Sequence, residues 1–111
     1  MPNNGLTTYQ INIIKQILYP FANKIDSVGL FGSRAKGIYR ENSDIDMVIY
    51  GSLNEEEADR IWTLFDASDL PVRVDLNLYH LIAYPPLKRH IDAVVQPLFS
   101  QQELLKTKSP T

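Results

Sequence analysis

The fold is decided by residues 29–51, GLFGSRAKGIYRENSDIDMVIYG. This stretch contains or overlaps two apolar runs, one from Ser27 to Phe31, closed by Gly32, and one from Ile45 to Tyr50. Short apolar runs that are rich in β-branched and aromatic residues and bounded by turn residues are typical of buried strands. The chain leaves the first run through Gly32–Ser33, which we interpret as the start of one turn of helix. The stretch therefore predicts a strand, a short helix, a loop and a second strand.

Carboxylates lie on the polar side of two predicted strands. Asp44 and Asp46 are two positions apart, so their side chains project together, with Cα atoms about 6.5 Å apart. In a third predicted strand, Val72 to Tyr79, Asp75 lies on the side opposite to the apolar residues. An isolated Asp-x-Asp is usually only the polar face of a strand. Because aspartate is disfavoured in strands, a third one on the same face favours a functional site.

Three carboxylates this close together repel one another, which raises their pKa values and destabilises the fold unless cations neutralise them. Hard oxygen ligands favour Mg²⁺ or Mn²⁺, and substrate phosphates usually complete the coordination shell. Two such ions can activate an attacking oxygen and stabilise a leaving pyrophosphate. We therefore predict that Asp44, Asp46 and Asp75 are metal ligands and catalytic residues.

The turn after the first strand is a candidate phosphate-binding site. Gly32 lets the backbone approach a ligand closely, the amides at the start of the following helical turn can donate to phosphate oxygens, and the Ser33 hydroxyl adds a donor. Arg34 and Lys36 can supply positive charge to a triphosphate. We predict nucleotide binding by all four residues.

Three further polar residues are open to two interpretations each. Ser43, next to the first aspartate, either caps a turn or contacts the substrate, and it is retained as a nucleotide-binding candidate. His80 and His90 can in principle act as bases, but both lie outside the motif. We interpret these two histidines as packed or solvent-exposed side chains.

The rest of the chain predicts an α/β (α+β) domain with a small mixed four-stranded sheet and helices packed on one face. One helix should start at Thr7 or Thr8, and a second should be capped by Asn54 with Glu57 in a capping box. Another short helix should start near Pro86. The fourth strand, Val94 to Phe99, should lie at a sheet edge because Pro97 cannot donate to a ladder. We expect a single domain over residues 1–111, with an ordered core at 6–99 and a flexible tail at 100–111.

Composition excludes several classes of protein. The chain has 111 residues and no cysteine, which excludes disulfide scaffolds, thiol nucleophiles and thiolate metal sites. Lysine and arginine total 11 against 13 acidic residues, so a nucleic-acid partner held through its phosphates is not expected. No apolar run reaches the roughly 20 residues of a membrane span, and the first residues lack the features of an export signal. We therefore expect a cytoplasmic protein without a membrane partner.

The combination of motifs resembles the polymerase-beta-like nucleotidyltransferase superfamily. The resemblance rests on Gly32–Ser33, ten intervening residues, Asp44-Ile45-Asp46 with apolar flanks, and the later lone Asp75. Residues 29–51 and the segment Ser68 to Asp75 are similar to the minimal nucleotidyltransferase branch, which consists of little beyond the catalytic domain. The resemblance covers about residues 6–99 and implies the polymerase-beta-like nucleotidyltransferase fold.

The resemblance also implies roles for individual residues. Asp44 and Asp46 would bind two Mg²⁺ ions, or Mn²⁺. Asp75 would complete the metal site and help to deprotonate the acceptor hydroxyl. Gly32 and Ser33 would hold the β- and γ-phosphates of ATP.

Minimal nucleotidyltransferases of this kind are typically encoded beside a helical HEPN-type RNase toxin, which they silence by transferring AMP to a tyrosine. The resemblance therefore implies an antitoxin that forms a hetero-oligomeric complex with a HEPN partner. Two alternatives remain open: a two-component, aminoglycoside-like enzyme that modifies a small molecule, and an antitoxin that acts by contact without catalysis.

Overall fold

Residues 4–107, which the computed structural model describes, form five α-helices and four β-strands. In chain order these are α1 Thr8–Leu18, β1 Ile25–Phe31, α2 Gly32–Lys36, β2 Ile45–Gly51, α3 Glu55–Asp66, β3 Val74–Leu78, α4 Pro85–Val94, β4 Gln96–Ser100 and α5 Gln101–Leu105. Two 3-10 segments, Tyr19–Lys24 and Tyr79–Leu81, follow α1 and β3. None of the described helices is long and apolar enough to cross a membrane.

The four strands form one mixed sheet in the order β3-β2-β1-β4. β1 pairs antiparallel with both β2 and β4, whereas β2 and β3 run parallel. The parallel pair is possible because α3 carries the chain back across the sheet between β2 and β3. Pro97 lies in β4, one of the two edge strands, where its missing N–H costs no ladder hydrogen bond. The predicted edge position of this strand is confirmed.

Helix starts follow the capping signals in the sequence. Asn54 caps α3, where its side chain accepts from the Glu57 backbone N–H at 2.8 Å and Glu57 accepts in return from the Asn54 N–H at 3.0 Å. This confirms the predicted capping box. Thr7 caps α1 in the same reciprocal way with Gln10. Each box satisfies two backbone donors that the first turn of a helix would otherwise leave unpaired.

The main hydrophobic core lies between one face of the sheet and helices α1, α3 and α5. The alternation along β2 places Ile45, Met47 and Ile49 on this face, and all three are fully buried. They pack with side chains of the three helices, of which Ile14, Leu18, Ile61, Phe65 and Leu104 are buried. For these helices, packing on one face of the sheet is as predicted.

The opposite face of the sheet is covered in part by α4, which corrects the prediction that all helices lie on one face. A second apolar cluster forms there around Phe31, Val48 and Ile91. The reason lies in β2, where Asp46 shares its face with Val48 and Tyr50. That face is charged at one end and apolar at the other, and the apolar end needs a cover. Helix α4 covers the apolar end of this face around Val48, and the polar end of the sheet is the end that carries Asp46.

The predicted flexible tail at residues 100–111 is wrong for residues 100–107. Ser100 caps α5 through a capping box with Glu103, and Leu104 is fully buried in the main core. This segment is mostly polar in sequence, but Leu104 faces the core and the Gln101 side chain donates to the Ala22 carbonyl at 3.0 Å. Both contacts hold the short helix against the rest of the fold. Residues 108–111, the rest of the predicted tail, lie outside the described part of the chain.

Leu104→Ala should destabilise the protein by about 2–5 kcal/mol, because it removes a buried side chain and leaves a cavity under α5. Leu105→Ala is the matched control: its side chain is 48% exposed on the same helix, and the loss should stay below about 1 kcal/mol. Chemical denaturation of both variants measures the difference. Equal unfolding free energies would show that α5 does not belong to the cooperative core.

Candidate active site

Two carboxylates meet at the polar end of the sheet. Asp46 of β2 and Asp75 of β3 are register partners in the parallel ladder, so their Cα atoms are separated by the inter-strand spacing of about 4.8 Å. Asp46 is also the partner of Phe31, the last residue of β1. Paired residues point to the same side of a sheet, and Asp75 is exposed to solvent. The two carboxylates therefore share the face opposite to the main core.

Asp44 lies one residue before β2 and is also exposed. The pKa of the Asp46 carboxyl is raised above its ordinary value, first by burial and then by the negative charges of Asp75 and Asp44. The three aspartates are therefore close enough for two of them to perturb the third. The charge repulsion predicted for this trio acts on Asp46, and a cation at this point would relieve it.

A fit to divalent metal ions follows from the kind of donors present. All three side chains are hard oxygen donors. The negative charges of Asp44 and Asp75 raise the pKa of Asp46, and the positive charge of a bound cation would offset this repulsion. Within residues 4–107, no three acidic or histidine side chains already surround a common point closely enough to hold a metal ion. The donor set suits Mg²⁺ in chemistry, and the carboxylates would have to turn toward one another to coordinate it.

Gly32 packs directly against Asp46. Its φ is +72°, in the left-handed region that side chains disfavour. A Cβ atom at this position would overlap the Asp46 Oδ2 atom and lie 3.3 Å from the Asp46 Cβ. Glycine is thus required here twice, for the backbone conformation and for the space. The Gly32–Ser33 turn and the Asp46 carboxylate are consequently in direct contact, at the place where β1 ends and β2 begins.

Arg34 is the single charged residue buried among residues 4–107, with a side chain 3% exposed. Its Nη1 donates to the Asn4 carbonyl at 3.0 Å and its Nη2 to the Ser43 carbonyl at 2.9 Å. The guanidinium also lies over the Tyr39 ring, 5.3 Å from the centroid. These contacts tie α2 to the loop that ends at Asp44. The geometry makes Arg34 an anchor of that loop, and nucleotide contact by this residue stays a prediction.

The sequence profile of the chain agrees with this arrangement. Residues 12–104 match the family described as Polymerase beta, Nucleotidyltransferase. The chain belongs to this family. No curated protein matches the sequence at a significant level.

Two solved structures resemble this nucleotidyltransferase. One is described as the crystal structure of a toxin–antitoxin with AMP-PNP; it is 24% identical, with 86% of this chain and 80% of that chain covered and a TM-score of 0.66. This likeness supports the fold. The other is a Sulfolobus solfataricus protein assigned as a nucleotidyltransferase, 22% identical, with 80% and 77% of the two chains covered and a TM-score of 0.43.

The remaining two predicted nucleotide ligands of the nucleotidyltransferase lie at the rim of the site. Lys36 is exposed at the end of α2. The Ser43 hydroxyl accepts from the Arg40 backbone N–H at 2.7 Å and so caps the turn before Asp44. This hydrogen bond corresponds to the first of the two interpretations that the sequence left open for Ser43. Nucleotide contact by either residue stays a prediction.

His90, which the sequence analysis set aside, enters the site from α4. Its ring meets Phe31 edge to face, with centroids 6.4 Å apart. Its charge lowers the pKa of Asp46, although burial and the two neighbouring carboxylates outweigh it. No local pattern signals this position, because the side of the sheet on which α4 packs is a tertiary property. His80, by contrast, is bonded through Nε2 to the Leu53 carbonyl at 2.7 Å, as expected of a packing residue.

Arg34→Met should lower the unfolding free energy by roughly 2–4 kcal/mol, because it removes charged donors from buried carbonyls. Arg34→Lys should recover only part of this loss, since one ammonium cannot reproduce the fork that reaches both Asn4 and Ser43. The control is Lys36→Met on the exposed side of the same helix, expected to change stability by less than about 0.5 kcal/mol. Denaturant titrations decide; if Arg34→Met and Lys36→Met are equally stable, the anchor role is wrong.

Proposed function

We propose that this nucleotidyltransferase transfers AMP from ATP to a tyrosine hydroxyl of a cognate HEPN-type RNase toxin and thereby acts as an antitoxin. The observation that carries the proposal is the in-register pair of Asp46 and Asp75 beside the Gly32–Ser33 turn, with Asp44 one residue before the strand. Two further observations support it: the resemblance of the motifs to minimal nucleotidyltransferases, and the likeness in fold to a protein crystallised as a toxin–antitoxin with AMP-PNP.

Asp44, Asp46 and Asp75 would hold two Mg²⁺ ions, with Mn²⁺ as a possible substitute. When bound, these ions offset the negative charge of the triphosphate and of the leaving pyrophosphate. This need for positive charge matches a site where the Asp46 pKa is already raised by burial and by the two neighbouring carboxylates.

The residues of the chain would bind the phosphates and accept the proton during AMP transfer. The acceptor oxygen attacks the α-phosphorus of ATP, the bond to the β-phosphate oxygen breaks, and pyrophosphate leaves. Asp75, the exposed member of the in-register pair, would take the proton of the acceptor hydroxyl. The Gly32 and Ser33 amides and the Ser33 hydroxyl would hold the β- and γ-phosphates. Most of the rate enhancement then comes from positioning and charge neutralisation.

The test is to incubate the full chain with ATP, MgCl₂ and the purified protein encoded by the neighbouring gene, and then to weigh that protein. We expect a mass gain of one or more AMP units and a loss of RNase activity. The control is the Asp44→Asn/Asp46→Asn variant, which should bind the same partner without modifying it. Unchanged partner mass, under conditions in which the two proteins bind, would contradict AMP transfer to the toxin.

The two alternatives give different results in the same assay. If a small molecule in a cell extract becomes labelled from ATP that is radioactive at the α-phosphate while the partner stays unmodified, the enzyme is of the two-component type. If the Asp44→Asn/Asp46→Asn variant neutralises the partner as well as the wild type does, neutralisation is by contact.

A further inference from the structure

A groove of about 540 Å³ follows the outer edge of β3. Glu55 and Asp59 of α3 line one wall, and Leu81 and Tyr84 line the other. The backbone of residues 76–78 passes between the two walls. We call this feature the β3-edge groove. It is separate from the Gly32–Ser33 turn and has no role in the chemistry described above.

The strand in this groove has one open side. β3 pairs with β2, and no other strand of residues 4–107 pairs with it. Natural edge strands are commonly protected by proline, by lysine or by a covering element. The sequence of β3, VDLNL, contains neither of those two residues. An edge strand of this kind can accept a segment of another polypeptide through its outer backbone groups.

The walls of the groove present apolar surface to solvent. Leu81 is 44% exposed and Tyr84 is 66% exposed, although two other lining residues, Ile82 and Leu87, pack against the second apolar cluster. A contiguous apolar surface beside an open strand edge is typical of a site that another protein covers. The edge and the apolar walls together indicate a docking surface.

The charge of the groove selects among possible occupants. Its charged lining residues are Glu55 and Asp59, and no lysine or arginine of residues 4–107 lines it. A second copy of the chain docked through the same groove would bring two acidic walls together, which like-charge repulsion disfavours. A segment with basic flanks would meet opposite charge at the rim. Complementarity therefore favours a different protein over self-association.

We propose that the β3-edge groove binds a segment of the protein partner that carries apolar side chains flanked by lysine or arginine. This assignment deepens the proposed function and rests on it where it identifies that partner with the AMP acceptor. Asp75 immediately precedes the part of β3 that lines the groove, at a rise of about 3.3 Å per residue. A segment seated there would lie one strand position from Asp75, the residue proposed to receive the hydroxyl proton.

Two matched pairs of variants test the groove. Leu81→Ser removes an apolar wall residue, and its control is Leu64→Ser, which is 42% exposed on α3 and outside the groove. Glu55→Lys reverses a wall charge, and its control is Glu56→Lys, in the same first turn of α3 and outside the groove. Thermal melts of all four variants establish that each is folded.

The affinity of each full-length variant for the neighbouring gene's product is measured by calorimetry at low and high salt. We expect Leu81→Ser to weaken binding about tenfold and Glu55→Lys about fivefold at low salt, the latter effect shrinking as salt rises. Both controls should stay within about twofold of the wild type. AMP transfer to the partner should fall with affinity for the two groove variants.

The outcomes separate the groove from the proposed function. Binding without AMP transfer overturns the proposed function, while the variant pattern still supports the groove. Equal affinity for Leu81→Ser, Glu55→Lys and their controls overturns the groove, even if AMP transfer occurs. A self-associated chain that Leu81→Ser converts to a monomer, with partner binding unchanged, makes a second copy the occupant and overturns it as well. Failure of the wild-type chain to bind the partner overturns both.

Discussion

Asp46→Asn should reduce kcat/KM for AMP transfer by at least about a thousandfold, because a neutral amide cannot replace a carboxylate at the centre of a charge-stabilised site. The same variant should be at least as stable as the wild type. Burial and the charges of Asp75 and Asp44 disfavour the ionised form of Asp46, as its raised pKa shows. Removing that charge therefore relieves repulsion. Loss of activity together with retained stability distinguishes a functional carboxylate from a structural one.

The stability difference has a defined pH dependence. Because the pKa of Asp46 is raised in the folded state above its ordinary value of 3.8, the penalty for its ionisation is fully present above the folded-state pKa. The penalty declines as pH falls through that value and vanishes once both the folded and unfolded states are protonated. The unfolding free energies of wild type and Asp46→Asn should therefore converge in acid.

Steady-state kinetics with the protein partner and urea titrations at several pH values measure both effects. The matched control is Asp26→Asn, an exposed aspartate on β1 outside the carboxylate trio, which should change neither activity nor stability appreciably. If Asp46→Asn retains more than about a tenth of wild-type activity, the carboxylate is not essential, and the catalytic assignment is wrong.

Gly32→Ala should reduce kcat/KM by at least about a hundredfold and lower the unfolding free energy by about 1–3 kcal/mol. An alanine at φ +72° is strained, and its Cβ would overlap the Asp46 Oδ2 atom. Relief of the overlap requires either the Asp46 carboxylate or the Gly32–Ser33 turn to move. Both belong to the candidate site, so misplacement of either should slow AMP transfer.

Gly37→Ala separates strain from overlap. Gly37 ends α2 at φ +76°, and a Cβ there meets nothing within 4 Å. This variant should lose about 1 kcal/mol of stability through backbone strain and retain nearly full activity. Parallel kinetics and denaturation curves for the two alanine variants provide the comparison. Equal activity losses at the two positions would mean that strain alone, without displacement of Asp46, accounts for the effect.

Much of the fold was predictable because it depends on short-range patterns. The Asn54–Glu57 capping box, the edge position of Pro97 and the alternation of β2 all involve residues close in sequence. The pairing of Asp46 with Asp75 followed from the period of two along each strand, given that the strands are neighbours. In such cases the local backbone geometry and the direction of the chain allow few alternative structures.

The errors came where a residue's role depends on what packs against it. No pattern in the sequence indicated that the Arg34 guanidinium is buried and bonded to the loop that leads to Asp44. Leu104 was hidden in a polar segment, and its burial docks α5 on the core. Neither environment can be predicted from a hydrophobic period in the sequence, because the residues that contact these side chains are not their neighbours in the same helix.

The sequence order of strands and helices, the capped helix starts and the polar sides of β2 and β3 were predictable from the sequence alone, since backbone periodicity and capping chemistry act within a few residues. The side of the sheet taken by α4, the entry of His90 beside Asp46 and the open groove along β3 arose only when the packed elements met. These three features depend on which apolar surfaces pack against each other, and those surfaces belong to segments that are distant in the sequence. The burial of such surface is non-directional and carries no local signal.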